Sequence, residues 1–415
     1  MKDIVLVFLV DALRHDYINQ DSSPFIEKLR SNGIFKIVDE PITFECYLLI
    51  FTGLYQDQLD IINLFDYNPP VSPWRFLKIF PLKFLQKIRY RNRIFNFGLN
   101  YILQRFAQII ERIKGNTASY HTCNPHEIPL EFLPRFAFGD KRLIYLPGSV
   151  PGKRTFFDVL KEKGKNWDWI AYPTHDIGTP SIMKQFNKLK NKDNIDFLFI
   201  HFSELDFIGH KFGPDSKEIR EEFSQIDNVI RLITNHYNKK RNVKIMVFGD
   251  HGMVKVQKSV DILKKLKNKG LITKKMIFFI DSIELRIWTD DSEEKTRLMD
   301  YLSKLNCGFL LNEENSKKLH LETRNRKFGD IVFIAYPGIV FLPNFFQRSH
   351  LPKGMHGYGP GIEGNQTCVI INSKDIKKKY ALNNKQLDLT DLYYCLLELI
   401  DVREYIPKKK KILVY

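Results

Sequence analysis

A chain of 415 residues, 44% hydrophobic and 27% charged, has room for one large α/β domain with insertions or for two domains, and this composition excludes a disordered protein. Five scattered cysteines with no CxxC pair (Cys46, Cys123, Cys307, Cys368, Cys395) exclude a disulfide framework and fit a reducing compartment, and no run of about 18 apolar residues offers a membrane span. The net charge of +16 suggests an anionic partner (phosphorylated substrate, polyanion or acidic membrane surface), unless it is only a lysine-rich compositional bias.

The chain enters a strand at once, since residues 4–10 are apolar and end at Asp11. That run is too short, and too soon followed by Asp11 and Arg14, for a signal peptide, so a cytoplasmic protein is expected. Ser22-Ser23-Pro24 starts a helix, Gly33 stops it, and 34–38 is a short strand. Thr43 then precedes an apolar helical run, 47–51, closed near Gly53. A hydroxyl there would be either an N-cap or a nucleophile presented at a positive helix end.

From 61 to 145 the pattern changes. Pro69-Pro70 and Ser72-Pro73 break the chain, and 74–114 is rich in aromatics, with ten Lys/Arg against one acid, Glu111. Phe76, Leu77, Phe80, Phe84, Leu85 and Ile88 fall at roughly helical spacing among basic residues, interrupted by Pro81. An ordinary cap helix packing its apolar face on the core is the simpler reading, and an interfacial helix peripheral to a membrane is the alternative. Nucleic acid is not expected, because no recognised binding module is visible.

Alternation resumes with a helix at 153–162, strands at 167–172 and 195–202, a long helix at 216–237 and a strand at 243–249. Such alternation implies parallel βαβ units. Residues 283–288, 292–305 and 330–335 read as a small α/β cap, and 389–400 as a final helix on the sheet. The expected division is a catalytic core in three parts (1–60, 146–275 and 346–415), interrupted by a basic helical insertion (61–145) and the cap (276–345).

Chemistry concentrates just beyond the strands. Asp250-His251-Gly252-Met253 follows one apolar run, Asp206-Phe-Ile-Gly-His210 another, and Asp11 a third. An open α/β sheet builds its site at such strand ends, and Asp and His with open positions suit zinc or manganese. Singly, each motif is as readily a turn with a satisfied His, or a helix-start pair in the case of Asp206 and His210. Their joint occurrence with Thr43 and His356, in this chain order, points to a metal-dependent hydrolase. His201, within a strand, reads as a core or supporting histidine. His15 and Asp16 read as structural, while His175, Asp176 and Lys211 are weaker candidates for substrate contact.

Five ordered stretches carry a family resemblance: Val10-Asp-Ala-Leu-Arg14, Ile42-Thr-Phe-Glu-Cys-Tyr-Leu-Leu-Ile-Phe-Thr-Gly-Leu-Tyr55, Glu204-Leu-Asp-Phe-Ile-Gly-His-Lys-Phe-Gly-Pro214, Gly249-Asp-His-Gly-Met253 and Met355-His-Gly-Tyr358. In these the chain resembles the alkaline phosphatase superfamily, in its type I phosphodiesterase/nucleotide pyrophosphatase branch. The resemblance implies a mostly parallel central sheet with helices on both faces. It also implies two divalent metals, zinc or manganese: one held by Asp206, His210 and His356, the other by Asp11, Asp250 and His251, with Thr43 bridging toward it as nucleophile.

The implied reaction cleaves a phosphodiester or pyrophosphate bond of a small phosphorylated substrate, whether nucleotide, sugar-nucleotide or lipid-linked phosphate. Thr43 attacks, a phospho-threonine forms and water hydrolyses it. The rivals are a phosphomonoesterase, phosphonate hydrolase or phosphotransferase of the same superfamily, and a membrane- or polyanion-binding protein whose metal site is secondary. Two departures bear on the substrate. Glu45 and Cys46 stand where the branch has Pro-Asn, and Asn63 is the nearest candidate for its phosphate-contacting amide.

Overall fold

Seven strands form the central sheet of this computed structural model, whose described residues are 3–42, 46–116, 123–139, 143–172, 174–175, 178–192, 194–322, 326–374 and 386–407. Thr43, Glu45 and Asp176 lie outside them. From edge to edge the order is Leu387–Asp388, Ile34–Asp39, Thr367–Asn372, Asn242–Phe248, Asp3–Val10, Phe197–Phe202 and Trp167–Ile170. Asp3–Val10 runs parallel to both its neighbours, and Trp167–Ile170 parallel to Phe197–Phe202. Thr367–Asn372 is antiparallel to both of its own, so the sheet is mixed but mostly parallel.

The continuous apolar run of the first strand follows from burial on both faces. Val5, Val7 and Leu9 enter one core with the helices Cys46–Thr52, Phe156–Glu162 and Asp391–Leu399. Ile4, Leu6, Phe8 and Val10 enter the opposite core with Pro24–Asn32, Thr179–Leu189 and Lys217–Asn238. Helices therefore cover both faces, as the resemblance implies. All five cysteines are buried thiols.

Among the elements that escape the sequence pattern are the helix Thr179–Leu189 and the strand Thr367–Asn372. An antiparallel strand needs no crossover helix after it, so βαβ alternation does not announce it. The helix expected from 153 starts at Phe156, because Thr155 caps it and exchanges bonds with Asp158 in a capping box.

A second sheet, of four antiparallel strands in the order Ile277–Ile280, Glu284–Trp288, Ile331–Ala335 and Gly308–Leu310, rises beside the first. The helix Ser292–Ser303 packs on it through Leu298 and Leu302. Phe279 and Trp288 meet Phe65, Trp74, Leu103 and Phe136 of the basic insertion. Among the described residues, no helix is long and apolar enough to cross a membrane.

Candidate metal centre

Asp11 leaves the strand Asp3–Val10, and Asp250 and His251 leave its neighbour Asn242–Phe248. The next strand, Phe197–Phe202, feeds the helix Glu204–Phe212 after one residue, Ser203. Asp206 and His210 are four apart on that helix and so share a face. His356 follows the short strand Gly354–Met355, which pairs with Val254–Lys255 just past the Asp250-His251 turn. Three neighbouring strands and one short antiparallel pair thus converge at a single sheet edge.

The turn requires its glycine. A Cβ on Gly252 would lie 2.2 Å from the Gly364 carbonyl oxygen and 2.6 Å from that of Gln366. The backbone approaches this closely because Gly252 and Met253 donate N–H bonds to the Asn365 and Gly364 carbonyls. Ala12, next to Asp11, is held at φ 59°, and its N–H meets Asp250 Oδ1 at 3.3 Å.

Ligand-type atoms converge in two groups: Asp206, His210 and His356, and Asp11, Asp206 and His251. Asp206 belongs to both. Asp250 stands beside the second group, with Oδ1 at 3.8 Å from His251 Nε2 and accepting the His251 N–H at 3.0 Å. Six of the seven expected ligands therefore gather at one place, and the seventh, Thr43, lies outside the described residues.

Hydrogen-bond polarity decides what this cluster can hold. His210 Nδ1 lies 2.8 Å from the Gly354 carbonyl, and His251 Nδ1 lies 2.8 Å from that of Gly252. A carbonyl only accepts, so each Nδ1 donates and each neutral imidazole keeps its lone pair on Nε2. Those lone pairs face carboxylates: His251 Nε2 is 3.0 Å from Asp11 Oδ1, and His210 Nε2 is 3.1 Å from Asp206 Oδ1. Both oxygens are buried and accept no well-formed hydrogen bond. Acceptors opposed at this range repel unless a cation lies between them, and carboxylate with imidazole is a donor set for zinc or manganese. The residues fit the divalent metals that the family resemblance implies.

Without metal, a proton on the imidazole can take the cation's place. Burial alone would lower the His251 pKa, yet Asp250 and Asp11 raise it well above the usual imidazole value. Burial would lift Asp11, but His201 and His251 hold it far below the usual carboxylate range. Asp250 is pushed up to about 7 by burial and by the charge on Asp11. His356, stacked on His251 with ring centroids 3.5 Å apart, is driven well down by burial and by that neighbour.

Three supporting residues surround the ligands. His201 is buried inside its strand, with Nε2 3.2 Å from Asp11 Oδ2 and 3.0 Å from the Tyr47 hydroxyl. It supports a ligand, in keeping with its reading as a core or supporting histidine. Tyr47 comes from the helix Cys46–Thr52, which begins at buried Cys46. Glu40 went unnoticed, although it ends the strand Ile34–Asp39 as Asp11 ends its own. It is fully buried, accepts the Gly357 N–H at 3.3 Å, and has Oε1 3.8 Å from His356 Nδ1.

Burial raises the Glu40 pKa from 4.5 to about 8. Its protonated form therefore favours the fold, with a contribution complete below the unfolded value of 4.5 and lost as pH rises through about 8. In chelator-treated protein, the wild type should lose stability over that window by up to about 1.4 kcal/mol per pH unit from this group. The Glu40→Gln variant should show a shallower fall in melting temperature from pH 5 to 8.5. Equal slopes would reject the assignment.

Other expected contacts resolve differently. Asn63 is buried and gives its amide hydrogen to Glu284 Oε1 at 2.5 Å, so it braces the cap sheet instead of offering a free amide. Lys211 is exposed beside the Phe212 ring, Asp16 pairs with Arg14, and the His175 ring lies 3.0 Å from its neighbour Thr174.

Comparison with known proteins agrees with this geometry. The family profile "Type I phosphodiesterase / nucleotide pyrophosphatase" matches residues 115–359, a span that holds Asp206, His210, Asp250, His251 and His356. An uncharacterised pyrophosphatase/phosphodiesterase of Schizosaccharomyces pombe is 24% identical over 416 residues, covering 96% of this chain and 77% of that protein. Venom phosphodiesterase 2 of Crotalus adamanteus is 26% identical over 278 residues, 64% of this chain but only 28% of the relative. Murine ectonucleotide pyrophosphatase/phosphodiesterase 5, solved as an inactive variant in complex with AMP, superimposes with a TM-score of 0.64 at 15% identity, over 96% of this chain and 95% of that one. The profile extends over more than half of the sequence and takes in most of the clustered ligands, so the chain belongs to the metal-dependent type I phosphodiesterase/nucleotide pyrophosphatase family and is a hydrolase of phosphoester bonds.

Proposed function

We propose that this chain cleaves a phosphodiester or pyrophosphate bond in a small phosphorylated substrate of the nucleotide class, at a centre of two divalent ions, with Thr43 as nucleophile and a phospho-threonine intermediate. The observation that carries the reading is the pair of buried carboxylate oxygens, Asp11 Oδ1 and Asp206 Oδ1, faced by imidazole Nε2 atoms at 3.0 and 3.1 Å. Asp206, His210 and His356 would hold one ion, and Asp11, Asp250 and His251 the other, with Thr43 completing the set. Bound zinc or manganese would supply Lewis acidity, lowering the pKa of a coordinated oxygen and neutralising phosphoryl charge.

The protein's part is preorganisation. The Gly354 and Gly252 carbonyls fix the two ring orientations, His201, itself hydrogen-bonded to the Tyr47 hydroxyl, holds the second oxygen of Asp11, and Glu40 ties the His356 loop to the sheet. Tyr47 belongs to the helix that opens three residues after Thr43, so the nucleophile segment and the Asp11 support are one unit. Buried thiols without disulfides support a cytoplasmic setting.

Purified protein should carry about two zinc or manganese ions and hydrolyse bis-nitrophenyl phosphate faster than nitrophenyl phosphate. Chelation should remove the activity and metal should restore it. Faster monoester cleavage would select the phosphomonoesterase rival, which Cys46 and the engaged amide of Asn63 leave open. Absence of any turnover, with vesicle binding that survives Thr43→Ala, would select a membrane- or polyanion-binding protein with a secondary metal site.

A further inference from the structure

The helix Arg93–Ile113 turns its polar side inward. Its buried residues are Asn96, Leu103, Gln104, Ala107, Gln108 and Glu111, polar except for two. Several of these polar groups are firmly bonded. Arg89, itself fully buried, donates to Asn96 Oδ1 at 2.9 Å, and Asn96 Nδ2 donates to Glu127 Oε1 at 3.1 Å. The Glu111 carboxylate accepts from Lys114 Nζ at 2.9 Å and from Asn116 Nδ2 at 2.7 Å. A bonded polar interface of this kind fixes the rotation of the helix about its axis.

The outward side is largely apolar, with the exposed cations Arg105 and Arg112 set into it. Ile94 (85% exposed), Phe97 (76%), Ile102 (62%), Ile109 (56%) and Ile113 (76%) stand in solvent. At 3.6 residues per turn they span a sector of roughly 160° along about 32 Å of helix. Phe106 continues the surface, its ring 4.3 Å from Phe76, which in turn touches exposed Phe80. Contiguous exposed apolar surface of this extent marks an interaction site.

Charge identifies the occupant. Residues 74–114 carry ten Lys/Arg and a single acid, Glu111, which is buried. Arg91, Arg93, Arg112 and Lys114 are exposed around the stripe. An apolar stripe rimmed by cations complements an anionic bilayer, whereas a second copy would bring the same cations against themselves. No described helix can span a bilayer, so contact would lie in the plane of the interface.

We propose that the Arg93–Ile113 helix docks on an anionic phospholipid surface, with Phe97 and Ile109 among the acyl chains and Arg93 and Arg112 at the phosphates. Nothing in this depends on the metal centre, so either reading can fail alone.

Flotation of the full chain with phosphatidylcholine vesicles, with and without phosphatidylglycerol, tests it. The wild type should float with the anionic vesicles and bind neutral ones at least about ten-fold less. Phe97→Asp combined with Ile109→Asp should lower anionic-vesicle binding by at least about ten-fold, with an unchanged melting temperature because both side chains are exposed. Arg93→Glu with Arg112→Glu reads the charge component separately and should lower binding to the anionic vesicles alone. The proposal is overturned if the wild type ignores anionic vesicles, or if neither double variant alters binding. A wild-type dimer that the apolar substitutions dissolve, without vesicle binding, would also overturn it and make the stripe a self-association surface.

Discussion

Thr43→Ala is expected to slow diester hydrolysis by at least about 10³-fold, because the reaction then lacks the oxygen that takes the phosphoryl group. Metal content should stay near that of the wild type, since six carboxylate and imidazole ligands gather without Thr43. Thr43→Ser should keep a measurable rate, because it retains a hydroxyl at the same position. Steady-state rates on bis-nitrophenyl phosphate, with metal analysis of the same samples, make the comparison. An alanine variant within tenfold of wild type would remove Thr43 from the mechanism and leave the metal reading standing.

Asp206→Asn should fail in the opposite manner. Asp206 Oδ1 faces His210 Nε2 at 3.1 Å and His356 Nε2 at 3.6 Å, and the same residue belongs to the group formed with Asp11 and His251. Loss of its charge therefore weakens both groups at once. Bound metal should fall below one ion per chain, and the diester rate should drop by about 10³-fold. Burial would raise the Asp206 pKa, but His210 and His356 hold it low in spite of Asp11, so in metal-free protein it stays charged against a like charge. A lowered pKa means that the folded state favours the charged form, so the metal-free variant should melt no higher than metal-free wild type.

What should vanish is the stabilisation on adding metal, read as a rise in melting temperature, which amounts to about 2.7 kcal/mol for a ligand at 100 times its dissociation constant. An asparagine variant that keeps its metal and its rate would dismiss Asp206 as a ligand. The two substitutions separate nucleophile from cation site, which no single activity loss can do.

The site was legible in one dimension because its ligands sit at strand ends. A buried strand announces itself as an apolar run, and the first Asp or His beyond it is carried to the sheet edge by topology. That rule finds Asp11, Asp250 and His251. It would have found Glu40 too, but 34–38 is a short run and a lone Glu carries no motif. Asp206 and His210 were open between a metal pair and a helix-start pair, and the helix Glu204–Phe212 places the two four apart on one face, which suits either reading.

Asn63 shows the limit of such reasoning. In sequence it was the nearest amide to the nucleophile segment, whereas in space its amide meets Glu284 of the cap, 221 residues away. The basic insertion shows another limit. Helical periodicity places apolar and polar residues on opposite sides of a helix, but it does not say which side faces the protein. An apolar side would ordinarily go inward. Here buried Arg89, together with Glu127 and Asn116, draws the polar side of Arg93–Ile113 inward.

By itself the sequence determined the α/β class and the placing of Asp11, Asp250 and His251 just beyond apolar runs, because both rest on local periodicity and residue type, whereas the seven-residue ligand set is what the family resemblance implies. The tertiary structure alone decided which lone pairs face which carboxylates, since that depends on carbonyls of Gly252 and Gly354 that no side-chain motif encodes. It also decided which side of the long helix meets solvent, because hydrogen bonds from Arg89, Glu127 and Asn116 beside the helix outweigh the ordinary inward pull on apolar side chains.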